Sequence, residues 1–310
     1  GQIAGVEALA ALGAVDFLMW VVTGISTGLT QGFSIQLSQY YGAKDFENLR
    51  KSLAHSYRLT AFIAAGVLIL SQSFASLILT GLHTPSNIIG MSLLYLRIIF
   101  CGIPATAAYN MFASALRAMG NSKTPLTAMI IASVLNVSLD ILFVAGFGWG
   151  VAGAAIATVI AQSFSAVYCF LILRRIDIVH LTRADFMPAS GMNVRLMKLG
   201  IPVVFQNIII GVGGLVVQYV INGYGFLFVA GFTATNKLYG LLEMAAISYG
   251  YAIVTYVGQN LGAGKIDRIR KGVRSSMLLS LLTSLIISAA MFLFGKNILS
   301  LFISGEPQQT

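Results

Sequence analysis

The stretch QYYGAKDFENLRKSLAHS at residues 39–56 recurs as QNLGAGKIDRIRKGVRSS at residues 259–276. The two copies share Gln39/Gln259, Gly42/Gly262, Ala43/Ala263, Arg50/Arg270, Lys51/Lys271 and Ser56/Ser276, all at one offset of 220 residues. Each copy follows a long apolar run and precedes another. A fixed register between two charged connections marks a duplicated unit.

The runs on either side of these connections read as membrane spans. Hydrophobic residues make up 57% of the 310-residue chain, only 9% is charged, and the mean hydropathy is +0.85. A water-soluble domain needs a far more charged surface. Eight spans are expected, over residues 8–38, 53–80, 88–116, 124–146, 151–174, 197–222, 228–258 and 272–302. They are predicted to be helices, because in lipid each backbone polar group must be satisfied within its own segment. A β-barrel would show short alternating strands instead of long continuous apolar runs.

Sixteen of the nineteen basic residues sit at alternate span ends. They form four groups: Lys44 to Arg58, Arg117 with Lys123, Arg174 to Lys198, and Lys265 to Arg274. The opposite loops at 81–87, 147–150 and 223–227 carry none. The basic loops therefore face the cytoplasm, and the net charge of +9 reads as a topology signal, with no nucleic-acid partner expected.

Six spans separate the two copies, an even number, so both halves keep one orientation. That is a parallel repeat about an axis along the membrane normal. The expected fold is an all-α integral membrane protein, a polytopic bundle of two six-helix lobes truncated at both ends. Residues 1–175 form the N-terminal lobe, residues 176–196 a cytoplasmic connection and residues 197–310 the C-terminal lobe. Two complete units need more than 310 residues, and the chain is accordingly expected to be a fragment, spans two to nine of twelve.

The sequence holds no Walker A loop, HExxH or GxSxG motif, so no enzyme is expected. The scattered His55, His83 and His180 have no metal-ligand spacing. Cys101 and Cys169 fall inside apolar spans and read as small buried hydrophobes.

Eight segments together carry a resemblance to a known family. They are EALAALGAVDF (7–17), QYYGAKD (39–45), YLRI (95–98), ALRAMGNSKTPL (115–126), NVSLDILF (136–143), GFGWGVAGAAIATVIAQ (146–162), LGIPVVFQN (199–207) and GQNLGAGK (258–265). In order and spacing the chain resembles the multidrug and toxic compound extrusion (MATE) transporters. The resemblance implies a V-shaped, two-lobed antiporter in the bacterial cytoplasmic membrane. It would expel organic cations or drug-like molecules in exchange for protons or sodium ions, without a cofactor. A monomer is expected.

Asp140 is the residue most suited to coupling. A carboxylate inside a span is costly when charged, so it takes up a proton or a sodium ion. Asn136, four residues earlier, lies on the same helix face. The resemblance implies that an Asn and an Asp at this spacing act with a Thr on the sixth span and an Asn on the fourth, here Thr158 and Asn110. A further family Asp falls on a span that this reading places before residue 1.

Asp16, about 12 Å into its span at 1.5 Å per residue, either faces the same cavity or makes interhelical hydrogen bonds. Arg97, some nine residues into its span, invites a partner inside the lobe. Lys237 and Glu243 share one span but, six residues apart, not one face. Some subgroups of the family carry a Glu in the seventh span where this chain has Ile210. Gln206 and Asn207 are the polar residues nearby, and Glu243 is the substitute candidate. The Phe, Tyr and Met residues suit an adaptable cavity, although most are read as packing or lipid-facing.

A flippase of lipid-linked saccharides from the same broad superfamily is the alternative. Such proteins carry more cationic central cavities, whereas here only Arg97 and Lys237 are intramembrane bases. A membrane-embedded enzyme would need clustered His, Asp or Glu at one depth. A passive channel would not need duplicated halves with a buried carboxylate.

Overall fold

The computed structural model describes residues 5–81, 88–222 and 226–300. They form nine α-helices and, among the described residues, no strand. The helices are α1 (Gly5–Gly42), α2 (Phe46–Gly81), α3 (Ile89–Cys101), α4 (Ile103–Ala118), α5 (Lys123–Asp140), α6 (Gly150–Arg174), α7 (Met192–Asn222), α8 (Phe226–Gly262) and α9 (Ile266–Ser300). Five described helices are long and apolar enough to cross a membrane, and α3 with α4 makes a sixth as a bent pair. Of the eight expected spans, the two outside this set are α1 and α8. At 38 and 37 residues they have ample length to cross a bilayer, and many of their side chains lie outside the described residues.

The span expected at 88–116 is two helices that meet at Gly102 with a 44° bend. Pro104 stands in the first turn of α4, where a missing N–H costs nothing, and a proline there favours a fresh helix start. The span expected at 124–146 changes winding at its end, from α-helix to a π-helical turn over Ile141–Gly146. Cys101, expected inside, is exposed, and its sulfur accepts a hydrogen bond from Gln72 at 3.3 Å. Arg97 is also exposed, and among the described residues it forms no ion pair.

The duplication is visible in the backbone. α1 and α8 end at Gly42 and Gly262, and α2 and α9 begin at Phe46 and Ile266, each pair 220 residues apart. The turns between them match bond for bond. Ala43 N–H donates to Gln39 O at 2.9 Å, and Ala263 N–H to Gln259 O at 3.0 Å. Asp45 N–H donates to Tyr40 O at 3.0 Å, and Lys265 N–H to Asn260 O at 2.8 Å. The left-handed residue of the turn is Lys44 (φ 58°) in one copy and Gly264 (φ 69°) in the other. Only the second copy has the residue type that takes this conformation freely.

These two turns also touch each other. A Cβ on Gly42 would fall on the carbonyl of Gln259, and one on Gly262 on the carbonyl of Gln39. The motif that repeats in sequence therefore meets its own copy, backbone against backbone, at the basic end of the bundle. α1 lies against α7 by the same device. A Cβ on Gly28 would stand 2.9 Å from the Val204 backbone, and one on Gly32 would strike Gly200. Gly24, Gly28 and Gly32 recur every four residues, the small-residue spacing that lets membrane helices approach closely.

The core has two parts. Toward the basic end Phe33, Leu37, Leu49, Leu53, Leu116 and Leu173 pack together. Toward the other end Leu79, Leu96, Phe100 and Ile103 do so. Outward faces are apolar instead of charged: Phe62 is 80% exposed and Phe292 90%. This is the inverse of a soluble surface and fits contact with hydrocarbon.

The connection before α7 is not a loose linker. It folds into 3-10 turns at Asp177–Val179 and Arg183–Phe186 and is strapped to α2. His55, fully buried, bonds through Nδ1 to Asn193 Oδ1 at 2.6 Å and through Nε2 to Met187 O at 3.1 Å. Asp185 accepts from the N–H and hydroxyl of Thr182 at 2.7 and 2.8 Å and faces Arg50 Nε at 3.7 Å.

Two glycine substitutions should behave oppositely. Gly42→Ala forces the α1 and α8 backbones apart and should lower the thermal midpoint of the detergent-solubilised protein. Gly66→Ala, where nothing lies within 4 Å of the added carbon, should leave it unchanged or raise it by the equivalent of about 0.5–1 kcal/mol.

Candidate functional site

α5 and α6 pack side by side with their polar groups at one depth. Asn136 Nδ2 donates to Thr158 Oγ1 at 3.4 Å across the two helices. Thr158 Oγ1 in turn donates to Ala154 O at 3.0 Å, one turn back in its own helix. That second bond orients the hydroxyl, so its lone pairs face Asn136. One turn beyond Asn136 on α5 is Asp140, half-buried. Its Oδ1 is fully enclosed and has no hydrogen-bond partner among the described residues. Buried carboxylate oxygens are nearly always bonded, so an orphan one calls for an explanation.

The backbone adds to this. Asp140 is the last α-helical residue of its span, and the π-helical turn starts at Ile141. A π turn inserts a residue into the ladder and often marks a functional position in a helix. Here it closes with Phe147 N–H donating to Leu142 O at 2.9 Å, and Phe143, Phe147 and Trp149 stack beyond it. Sequence reading places Asp140 in its span but has no signal for the change of winding.

Asn110 is held elsewhere. Its Nδ2 donates to Thr27 Oγ1 at 3.3 Å, joining α4 to α1. Of the four residues the sequence groups together, Asn136, Thr158 and Asp140 form one polar stripe, and Asn110 belongs to a separate interhelical bond. Thr27 is the partner that sequence reasoning missed. Asn207, expected at a cavity, donates from Nδ2 to Gly24 O at 3.1 Å and fastens α7 to α1. Gln206 and Glu243 are exposed. The side chains of Asp16 and Lys237 lie outside the described residues.

The two halves are joined at the basic end by more than the glycine contact. Gln259 Nε2 donates to the Ala118 carbonyl at 2.8 Å, and the Arg117 guanidinium lies 4.5 Å from the centre of the Tyr251 ring. Both bring α8 against the end of α4. Among the described residues no three His, Cys, Asp or Glu side chains converge as metal ligands.

A duplicated, all-helical bundle with lipid-facing outer surfaces and one orphan carboxylate in a span defines a multi-pass membrane protein of the transporter class. The model of the MatE family matches residues 1–142 and 202–307, and the chain belongs to that family. It is 31% identical over 307 residues to the probable multidrug resistance protein YpnP of Bacillus subtilis (strain 168), covering 99% of this chain and 68% of that one. It is 28% identical over 314 residues to the probable multidrug resistance protein YoeA of the same organism, again covering 99% and 68%.

Among solved structures, an outward-facing multidrug resistance MATE family transporter superposes with a TM-score of 0.90 at 21% identity, covering 98% of this chain and 68% of that one. An inward-facing structure superposes with 0.74 at 20% identity, covering 98% and 70%. The fold is therefore the two-lobed helical fold of MATE transporters. The expectation that the chain comprises spans two to nine of twelve is not borne out. The matches show how much of each relative's length is shared and assign no span numbers to this chain.

The Asn136–Thr158 bond makes a measurable prediction. Thr158→Val should cost about 0.6 kcal/mol, the typical worth of one interhelical hydrogen bond in a membrane. Thr158→Ser, which keeps the hydroxyl, should restore most of it, read as the thermal midpoint in detergent.

Proposed function

We propose that this chain is part of the machinery of a secondary active antiporter that exports organic cations or drug-like molecules in exchange for H+ or Na+. The observation that carries the reading is the enclosed, unpartnered Asp140 Oδ1 at the α-to-π junction of α5. A carboxylate there is stable only when neutralised, by a proton on the orphan oxygen or by a sodium ion beside it. The relatives named as multidrug resistance proteins support the substrate class.

Asp140 is the coupling residue in this reading. Asn136 and Thr158 supply neutral oxygens one turn away and hold α5 against α6. Asn110, through Thr27, ties α4 to α1, so a shift in the α5–α6 pair is passed to the helix that touches the other half. Neutralising Asp140 changes the charge next to a π turn, and a π turn can revert to α-winding by moving one residue. That gives a two-state element which ion binding can bias.

The halves are assigned as residues 1–175 and 197–310, with 176–196 between them. Their contact at the basic, cytoplasmic end supports an outward-facing state. Opening inward would require Gly42 to leave Gln259, Gly262 to leave Gln39, Gln259 to release the Ala118 carbonyl, and α7 to shift on Gly24, Gly28 and Gly32 of α1. A cytoplasmic-membrane location and a monomer complete the reading. Among the described residues no cluster of intramembrane basic side chains favours the saccharide-flippase alternative; Arg97 stands exposed.

The test is efflux of a fluorescent organic cation from inverted vesicles or cells expressing the full-length transporter, under an imposed H+ or Na+ gradient. Efflux should follow one of the two gradients. Asp140→Asn should reduce it at least tenfold while the protein stays folded by size-exclusion profile. Gradient-driven efflux untouched by that substitution would remove Asp140 from the coupling role.

A further inference from the structure

A crevice of about 400 Å3 lies between α2, α4 and the last turns of α6. Ala65 and Leu68 on α2, Pro104 and Met111 on α4, and Phe170 on α6 make an apolar wall. Tyr57 and Thr60 are the hydroxyl-bearing residues in its lining, and Thr60 is 8% exposed with no hydrogen-bond partner for its Oγ1. Threonines in the interior of a helix ordinarily donate to the carbonyl one turn back. Thr23, Thr27 and Thr158 all do so here, at 2.7, 3.0 and 3.0 Å. The hydroxyl of Thr60 is thus a buried donor left without an acceptor at the edge of an apolar crevice.

The dimensions and the rim say what fits. Along α2 the crevice runs from Tyr57 to Leu68, which is about 16 Å at 1.5 Å per residue. That is close to half of the roughly 30 Å hydrocarbon core, the depth of a single leaflet. The Tyr57 and Phe170 end lies at the basic ends of α2 and α6. Arg58 stands beside it, one residue after Tyr57, and Arg174 just past it, both exposed. Arg174 is four residues beyond Phe170 and therefore on the same helix face. Arg58 reaches the Phe186 carbonyl at 3.4 Å and His55 Nδ1 at 3.2 Å. Among the described residues neither arginine has a carboxylate within ion-pair distance.

We propose that this crevice is a binding site for one anionic phospholipid of the cytoplasmic leaflet. An acyl chain fills the space between α2 and α4, the ester carbonyl accepts from the Thr60 hydroxyl, and the phosphate sits on Arg58 and Arg174. An apolar void facing lipid forfeits its dispersion contacts unless a chain occupies it. A basic side chain near an anionic leaflet adds about 1 kcal/mol, or about fivefold in affinity. The bound lipid joins α2, α4 and α6, so it stiffens one half of the molecule without touching α8 or the lobe contact. The site is separate from the Asp140 stripe, and the proposal does not rest on the transport reading.

The purified full chain in detergent would be titrated with phosphatidylglycerol and, separately, with phosphatidylcholine of the same chain length. Native mass spectrometry counts the molecules retained. One phosphatidylglycerol should be held, with phosphatidylcholine more than about tenfold weaker. Ala65→Trp, which fills the crevice from an exposed position, should abolish the retained lipid. Arg58→Gln and Arg174→Gln, both at exposed positions that leave the fold intact, should each weaken phosphatidylglycerol about fivefold and leave phosphatidylcholine unchanged. Equal retention of the two lipids, or retention that none of the three substitutions alters, would overturn the proposal. Displacement of the lipid by an equimolar apolar organic cation would overturn it too, and would make the crevice a substrate port.

Discussion

The structure depends on two helices meeting with nothing between their backbones. Gly42 lies on the Gln259 carbonyl and Gly262 on the Gln39 carbonyl. In lipid there is no hydrophobic force to draw helices together, because the tails are as apolar as the side chains. Close backbone approach, with the dispersion contact it allows, has to supply the association. The same logic runs up α1, where Gly28 and Gly32 let α7 come within van der Waals distance. α1 is thus the spine, with α2 and α4 on one side and α7 and α8 on the other.

The solvent explains what the spine leaves outside. Large apolar side chains cover the outer faces, and hydroxyls bond back into their own helices, as Ser71, Thr127 and Ser138 do. Against this background a polar atom with no partner stands out. Asp140 Oδ1 is one, at the point where α5 changes winding. Thr60 Oγ1 is another, at the edge of an apolar crevice. In a medium that offers no water, each orphan donor or acceptor costs free energy unless something that comes and goes satisfies it.

The basic end of the bundle combines two kinds of contact. The connection before α7 is bound to α2 through His55 and Asp185. The contacts between halves are of another kind: glycines of α1 against the α7 and α8 backbones, the Asn207 amide on the Gly24 carbonyl, the Gln259 amide on the Ala118 carbonyl, and an arginine over the Tyr251 ring. None of them is an ion pair.

The membrane class, the helical content and the duplication were all legible in the sequence. They are set by composition and by a one-dimensional pattern: apolar length against bilayer thickness, basic residues at alternate ends, and an offset of 220 residues that the helix ends then reproduce. Asp140 was legible as well, because a charge inside a span is costly wherever the helix packs. The helix partners were not. That Asn110 bonds Thr27 instead of joining the Asp140 stripe, that Asn207 fastens α7 to α1, and that the linker is strapped to His55 all depend on which faces meet. The crevice beside Thr60 likewise lies between helices distant in sequence. Local sequence sets how long and how greasy each helix is. Only the tertiary structure decides which polar atoms find partners, because that depends on contacts between residues on different helices, from 22 to 183 positions apart in the pairs above.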